Sequence, residues 1–201
     1  AVLSQALTYE TLSSNIQAST PRTTRMLNTT KIAVLMGGPG SERDVSLASG
    51  AAVTEALRSL GLDVTPVDVT STVLDLPAGT GLAFNVIHGT FGEDGRLQAQ
   101  LEELGVPYTG AGVESSRRAF DKSLAKAIFI EAGVPTPRSE MLDLSQGLPR
   151  PSFAAPFVVK PPREGSSVGV HIVRDAAESD ARIADTARYG GEVLVEEFID
   201  G

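Results

Sequence analysis

Short apolar segments alternate with amphipathic ones between residues 31 and 117, and this alternation constrains the fold more than any other feature of the chain. Three apolar segments have the length and composition of buried strands: 32–36, 62–69 and 82–88. A helical pattern at about 44–60 separates the first two segments, and a second, LQAQLEELG, follows the third; each is closed by a glycine, and VPYTGAG then returns to the sheet. Alternating strands and helices predict a parallel sheet, so we expect an α/β domain over 31–117.

The pattern changes after this domain. A helix is predicted over 121–132, and the helix-incompatible VPTP at 134–137 marks a seam between two units. The later elements are predicted strands at 156–161, 167–173 and 192–199, with one helix near 176–188. These elements predict a small α+β lid, and we assign the second unit to 118–201.

Residues 1–30 are rich in Ser and Thr and have no sustained apolar period, so we expect a disordered or leader-like tail. Ala1 is not an initiator, whereas Met26 lies just before the first predicted strand. Residues 1–25 are therefore interpreted as a leader, an expression remnant or a mispredicted start, and their few acids and two arginines leave a transit peptide open.

Composition excludes several classes of protein. With 41% hydrophobic and 21% charged residues, the chain resembles ordinary globular proteins. A net charge of -8 argues against a nucleic-acid partner, because phosphate backbones are bound by clustered Lys and Arg. No apolar run approaches the about 20 residues that span a bilayer, so no membrane partner is expected. The absence of Cys excludes disulfide and thiolate chemistry and fits a cytoplasmic protein.

A glycine-rich turn, MGGPGSERDVSL at 36–47, joins the first strand to the first helix. Glycines allow close approach of the backbone to a ligand, and a helix start presents free N–H groups to an anion. The turn matches neither the dinucleotide-binding nor the P-loop pattern. Glu42, Asp44 and Ser46 are candidates for ligand contact, and helix capping stays open as the alternative.

His88 lies in the second motif, VIHGTFGEDGRLQ at 86–98, at the predicted carboxyl end of a parallel strand. Ligands of open α/β sheets bind at that edge. A buried structural histidine followed by an ordinary turn is the alternative interpretation.

The third motif is FVVKPPREGSSVGV at 157–170, in which Lys160 ends a strand before a Gly/Ser-rich loop. An ammonium group beside backbone donors suits a polyphosphate, and the chain has only four lysines: Lys31, Lys122, Lys126 and Lys160.

In the fourth motif, VLVEEFIDG at 193–201, strand backbone could pair with a purine edge while Phe198 packs on its face. A charged edge strand is the alternative.

Taken in this order, the motifs resemble the D-alanine:D-alanine ligase family of the ATP-grasp superfamily from about Lys31 onward. The resemblance rests on GGPGSERDVSL, HGTFGEDGRLQ, PYTGAGV, DKSLAK, VVKPPREGSSVG and EVLVEEFIDG. It implies a Rossmann-like pre-ATP-grasp domain followed by an ATP-grasp lid subdomain.

The resemblance also implies roles for individual residues. Glu42 and Ser46 would hold the first D-alanine near His88, and Ser166 would help position the substrate, so Glu42, Ser46 and Ser166 are the catalytic candidates. The residues expected to bind ATP are Lys122 and Lys160 at the phosphates, Glu164, Ser166, Ser167 and Val168 in a covering loop, and Glu196, Phe198 and Ile199 around adenine.

The implied reaction is ATP-driven joining of two D-alanines through an acyl phosphate, for peptidoglycan, by a cytoplasmic homodimer that pairs through its N-terminal domain. The family's Mg²⁺ ligands lie in a C-terminal domain that is expected outside these 201 residues, so we expect the chain alone to be inactive. Two alternatives stay open: a ligase that joins D-alanine to another D-amino or hydroxy acid, and a noncatalytic nucleotide-binding or dimerisation module.

Overall fold

A parallel sheet forms the first half of the molecule. The computed structural model describes residues 29–145 and 147–200. Its first sheet has the order β2-β1-β3, with all neighbours parallel. The strands are β1 (Lys31–Gly37), β2 (Val64–Val69) and β3 (Thr80–Asn85). Tyr108 extends the sheet by a single parallel bridge to Ala83. The predicted parallel sheet is confirmed.

The side chains of β1 alternate between two hydrophobic layers. Ile32, Val34 and Met36 pack on one face with apolar side chains of α1 (Arg43–Ser59). Ala33 and Leu35 pack on the other face, where α2 (Arg96–Glu103) contributes Leu97 and Leu101. Because both faces are covered, β1 is a continuous apolar run, as expected for a central parallel strand.

Gly50 allows α1 to approach β1 closely. A Cβ at this position would lie 2.4 Å from the Cβ of Met36, so any side chain would push the helix away from the sheet. This close contact fixes the start of α1, and with it Glu42, relative to the carboxyl end of β1.

An antiparallel sheet of order β4-β7-β5-β6 forms the second half. Its strands are β4 (Ser139–Leu142), β5 (Phe157–Lys160), β6 (His171–Val173) and β7 (Val193–Glu197). A 3₁₀-helix (Ala176–Glu178) leads into α5 (Ser179–Ala187), whose Ile183 enters the core of this sheet. Two helices, α3 (Val113–Phe120) and α4 (Lys122–Glu131), connect the two sheets. The predicted α+β character of this half is confirmed.

Several predicted elements differ from the structure. The strand predicted at 82–88 ends at Asn85, so His88 lies in the following loop. The strand predicted at 167–173 begins only at His171, because Ser166 and Ser167 have positive φ angles of 47° and 61° that a strand does not accommodate. The predicted strand at 192–199 ends at Glu197.

Helix α3 and strand β4 were not predicted, since VESSRRAF and SEML lack a clear apolar period. The domain boundary predicted between 117 and 118 falls inside α3 and stays a prediction. The predicted leader and nearly all of the tail lie outside the described residues. Among the described helices, none is long and apolar enough to cross a membrane.

Core packing around α5 gives a test of the second sheet. Replacing the fully buried Ile183 with Ala removes contacts with the sheet, and we expect the free energy of unfolding to fall by about 2–5 kcal/mol. Ile172→Ala is the matched control, because Ile172 is 46% exposed on an edge strand and should cost about 0.5 kcal/mol or less. Urea denaturation followed by circular dichroism measures both. Equal losses would contradict this packing.

Candidate functional site

A cavity of about 620 Å³ lies where α4, the second sheet and the loop after β5 meet. Many of the sequence-predicted site residues line it: Lys122, Lys160, Glu164, Ser166, Ser167, Glu196, Phe198 and Ile199. These residues come from three separate segments of the chain. The fold therefore brings together the groups that the resemblance assigns to ATP.

Lys122 enters the cavity from the first residue of α4. Asp121 caps this helix, because its Oδ1 accepts hydrogen bonds from the backbone N–H groups of Ser123 at 2.9 Å and Leu124 at 3.3 Å. The cap fixes where the helix starts and thus where the lysine leaves it. Lys122 Nζ donates a 2.5 Å hydrogen bond to the carbonyl oxygen of Glu164 across the cavity.

Lys160 enters from the end of β5 and forms an ion pair with Glu196 on the neighbouring strand β7. Burial lowers the pKa of Lys122 below the usual lysine value, and the positive charge of Lys160 lowers it further. Both lysines line the same cavity, so their positive charges repel each other there. An anion between them would relieve this repulsion.

Residues 161–170, here called the flap, cover the cavity. The flap is fastened near its start, where Arg163 Nε contacts Asp121 Oδ2 at 2.7 Å and the Lys122 N–H donates to the carbonyl of Pro162 at 3.0 Å. Although burial opposes its ionisation, hydrogen bonds from Ser123 and Arg163 hold the pKa of Asp121 below its usual value. The flap is fastened at its other end by Thr186, whose hydroxyl donates to the Gly169 carbonyl at 2.8 Å.

The tip of the flap has an unusual backbone. Ser166 and Ser167 are consecutive non-glycine residues in the left-handed region, a conformation that costs on the order of 1 kcal/mol or more for each residue. Such strain is typical of ligand-binding loops. The tip also contacts the first half of the molecule, because Ser166 Oγ donates a 2.5 Å hydrogen bond to Glu42 Oε1.

Glu42 thus lies between the flap and the loop that contains His88. A Cβ on Gly89 would lie 2.7 Å from Glu42 Oε2, so glycine is needed at this close approach, where φ is also +68°. His88 lines a second cavity of about 610 Å³, and its Nε2 lies 3.3 Å from Ser49 Oγ. Glu93 and Ala119 line both cavities, so the two are neighbours.

Three predicted site residues line neither cavity: Glu42, Ser46 and Val168. Ser46 is fully buried, donates to the Val86 carbonyl at 2.7 Å and accepts from the Gly37 N–H at 2.9 Å. Its hydroxyl therefore joins β1 to the segment after β3 and faces neither cavity. Val168 is part of the flap but does not line the 620 Å³ cavity.

Sequence reasoning did not assign Lys126 and Arg163 to the site. Lys126 lies one helical turn after Lys122, and this four-residue spacing in DKSLAK was the available signal that both lysines share a helix face. Arg163 gave no comparable signal, because its partners Asp121 and Glu192 are distant in sequence.

Over residues 29–145 and 147–200, no group of three or more His, Asp or Glu side chains has an arrangement that could hold a metal ion. This part of the chain therefore offers no ligand set for the expected Mg²⁺.

Comparisons with known proteins show the family of the chain. Family models described as D-ala D-ala ligase N-terminus and D-ala D-ala ligase C-terminus match residues 72–111 and 138–201. A D-alanine--D-alanine ligase of Methylacidiphilum infernorum is 42% identical over 170 residues, which are 85% of this chain and 55% of that protein. The chain thus spans a little over half the length of this curated relative.

Solved structures show the same fold. The D-alanine--D-alanine ligase from Bacillus anthracis has a TM-score of 0.74 and 30% identity, over 86% of this chain and 58% of that one. The VanG D-Ala:D-Ser ligase from Enterococcus faecalis has a TM-score of 0.70 and 28% identity, over 86% and 63%.

The parallel sheet, the antiparallel sheet with its flap, and the paired lysines between them define the ATP-grasp class. Within that class, the chain belongs to the D-alanine–D-alanine ligase family.

The ion pair between Arg163 and Asp121 gives a test of the flap attachment. Replacing Arg163 with Met removes this contact, so we expect the amides of 164–168 to exchange with solvent severalfold faster. Hydrogen exchange read by mass spectrometry measures the change. Arg182→Met is the control, because Arg182 pairs with Glu178 on the surface and its loss should leave the flap unchanged. Unaltered flap exchange in the Arg163 variant would contradict the attachment.

Proposed function

We propose that this chain binds ATP and the first D-alanine within a cytoplasmic ligase that joins two D-alanines for peptidoglycan synthesis. The observation that carries the proposal is the convergence of Lys122 and Lys160, from two separate segments, on one cavity beneath the flap. Membership of the ligase family supports the substrates.

In this proposal the two lysines bind the phosphates of ATP. Lys122 replaces its contact with the Glu164 carbonyl by a contact with a phosphate oxygen. Lys160 likewise replaces its ion pair with Glu196 by a contact with a phosphate oxygen. Charge-assisted hydrogen bonds to phosphate are stronger than bonds to a neutral carbonyl, which favours the exchange at Lys122. The backbone N–H groups of Ser166 and Ser167 cover the phosphates, and Phe198 and Ile199 pack against adenine.

Glu42 and His88 hold the first D-alanine on the far side of the flap tip. The Glu42 carboxylate suits the substrate ammonium group, and its contact with Ser166 places the substrate beside the phosphate-covering loop. Phosphoryl transfer from ATP to the D-alanine carboxylate then gives an acyl phosphate and ADP. The amine of the second D-alanine attacks the acyl carbon, and phosphate leaves as the peptide bond forms.

The identity of the second substrate is proposed from the relatives. The relatives of which the chain spans a little over half the length are named D-alanine--D-alanine ligase. The similar fold of a D-Ala:D-Ser ligase favours D-serine as the second candidate. A product assay on a ligase that contains this chain, with D-alanine and D-serine competing as acceptors, distinguishes these activities.

Removal of the Lys122 charge tests the nucleotide site. We expect Lys122→Met to weaken ATP binding by about tenfold or more, because a hydrogen bond to a charged group is lost. Binding of adenosine should stay unchanged, since it lacks phosphates. Isothermal titration calorimetry with ATP and Mg²⁺ measures both affinities.

Lys31→Met is the matched control, because Lys31 is an exposed lysine at the far end of β1. It removes the same charge and should leave ATP affinity unchanged. ATP affinity that is equal in the wild-type chain and in the Lys122 variant would overturn the proposed phosphate site.

A further inference from the structure

The most deeply buried ammonium group near the cavity belongs to Lys126, a residue that has no role in the function proposed above. Its side chain is only 8% exposed. Lys126 Nζ donates to Thr136 Oγ1 at 2.8 Å and to the Pro137 carbonyl at 2.6 Å, and it lies 3.0 Å from Glu196 Oε1. An ammonium group has three N–H donors, so these three acceptors satisfy it fully.

Full satisfaction holds Lys126 in place. Its partners belong to the segment before β4 and to β7, whereas the lysine itself belongs to α4. Movement of the ammonium group toward the cavity would leave buried acceptors without a donor, which is costly. Lys126 is therefore a fixed positive charge behind the wall of the cavity.

Glu196 lies between two lysines, of which one side chain is fixed and the other can move. Its Oε1 contacts the fixed Lys126, and its Oε2 contacts Lys160 inside the cavity. The side chain of Lys160 is 21% exposed. Among the described residues, it forms an ion pair with Glu196 alone. Lys160 can thus turn to another anion, whereas Lys126 cannot.

The proposed function requires Lys160 to turn toward a phosphate. Without Lys126, this movement would leave the Glu196 carboxylate buried and unpaired, an arrangement that proteins avoid because of its desolvation cost. With Lys126 present, Glu196 keeps an ion-pair partner and its orientation. Its Oε2 is then free at the cavity wall, beside Phe198 and Ile199.

A carboxylate oxygen only accepts hydrogen bonds. At the position facing Glu196, a purine base with an exocyclic amino group can donate one, whereas a base with a carbonyl there presents a second acceptor. A site with a fixed acceptor rejects the wrong group more strongly than a flexible one does.

We propose that Lys126 is a positioning residue for base specificity: it fixes Glu196 so that the freed carboxylate oxygen selects a 6-aminopurine nucleotide over a 6-oxopurine nucleotide. This inference rests on the proposed ATP site and adds to it the residue that sets the choice of base.

The test compares ATP with ITP, which carries a carbonyl where ATP carries the amino group. We expect the wild-type chain to bind ATP at least about tenfold more tightly than ITP. Lys126→Met keeps the length of the side chain and removes its charge, so ATP affinity should fall and the ATP-to-ITP ratio should approach one. Titration calorimetry gives both constants, and circular dichroism checks that the variant is folded.

Lys126→Arg is the second variant, for the case in which the Met variant does not fold. It keeps the charge but cannot reproduce three contacts from a single nitrogen, so the ratio should fall to an intermediate value. Lys31→Met is the control and should keep the wild-type ratio.

The outcomes separate this inference from the function on which it rests. Equal loss of ATP and ITP affinity in the Lys126 variants, with the ratio preserved, would overturn the base-specificity role and leave ATP binding intact. A wild-type chain that binds neither nucleotide would overturn the proposed function itself.

Discussion

The site depends on the carboxylate of Asp121. One of its oxygens accepts the N–H groups that start α4, and the other contacts Arg163 in the flap. A single side chain therefore fixes both the position of Lys122 and the position of the loop that faces it. Because these two segments are distant in sequence, their alignment needs such a shared anchor, and the lowered pKa of Asp121 keeps it charged under ordinary conditions.

The second constraint is electrostatic. The protein is acidic overall, with a net charge of -8, yet Lys122 and Lys160 are close enough for one to lower the pKa of the other. Two of the acids around them are compensated: Glu196 by two lysines, and Glu197 by Arg138 at 3.2 Å. The cavity can therefore receive an anion although the whole surface repels one, because local pairing decides the charge that a buried ligand meets.

Sequence reasoning predicted those parts of the molecule in which local pattern and tertiary environment agree. The apolar run of β1 predicted a central parallel strand, and its two covered faces explain why. Reasoning was wrong about Ser167 to Val170, whose strand-like composition is overridden by left-handed serines. Lys126 was missed because its acceptors, Thr136 and Glu196, are 10 and 70 residues away and meet it only in the folded chain.

The flap tip joins the two halves of the molecule, because Ser166 contacts Glu42 and the Glu164 carbonyl accepts a hydrogen bond from Lys122. Left-handed angles at Ser166 and Ser167 are unfavourable on their own, so contacts on both sides must hold them: Glu42 on the side of the first sheet and Lys122 through the Glu164 carbonyl on the other. Loss of either contact would allow the two serines to relax from their left-handed angles, and the other contact would then be less favourable. We therefore expect a ligand that replaces the carbonyl at Lys122 to change the free energy of the flap contact with Glu42, and linkage then requires a ligand at Glu42 to change binding at the lysines by the same factor.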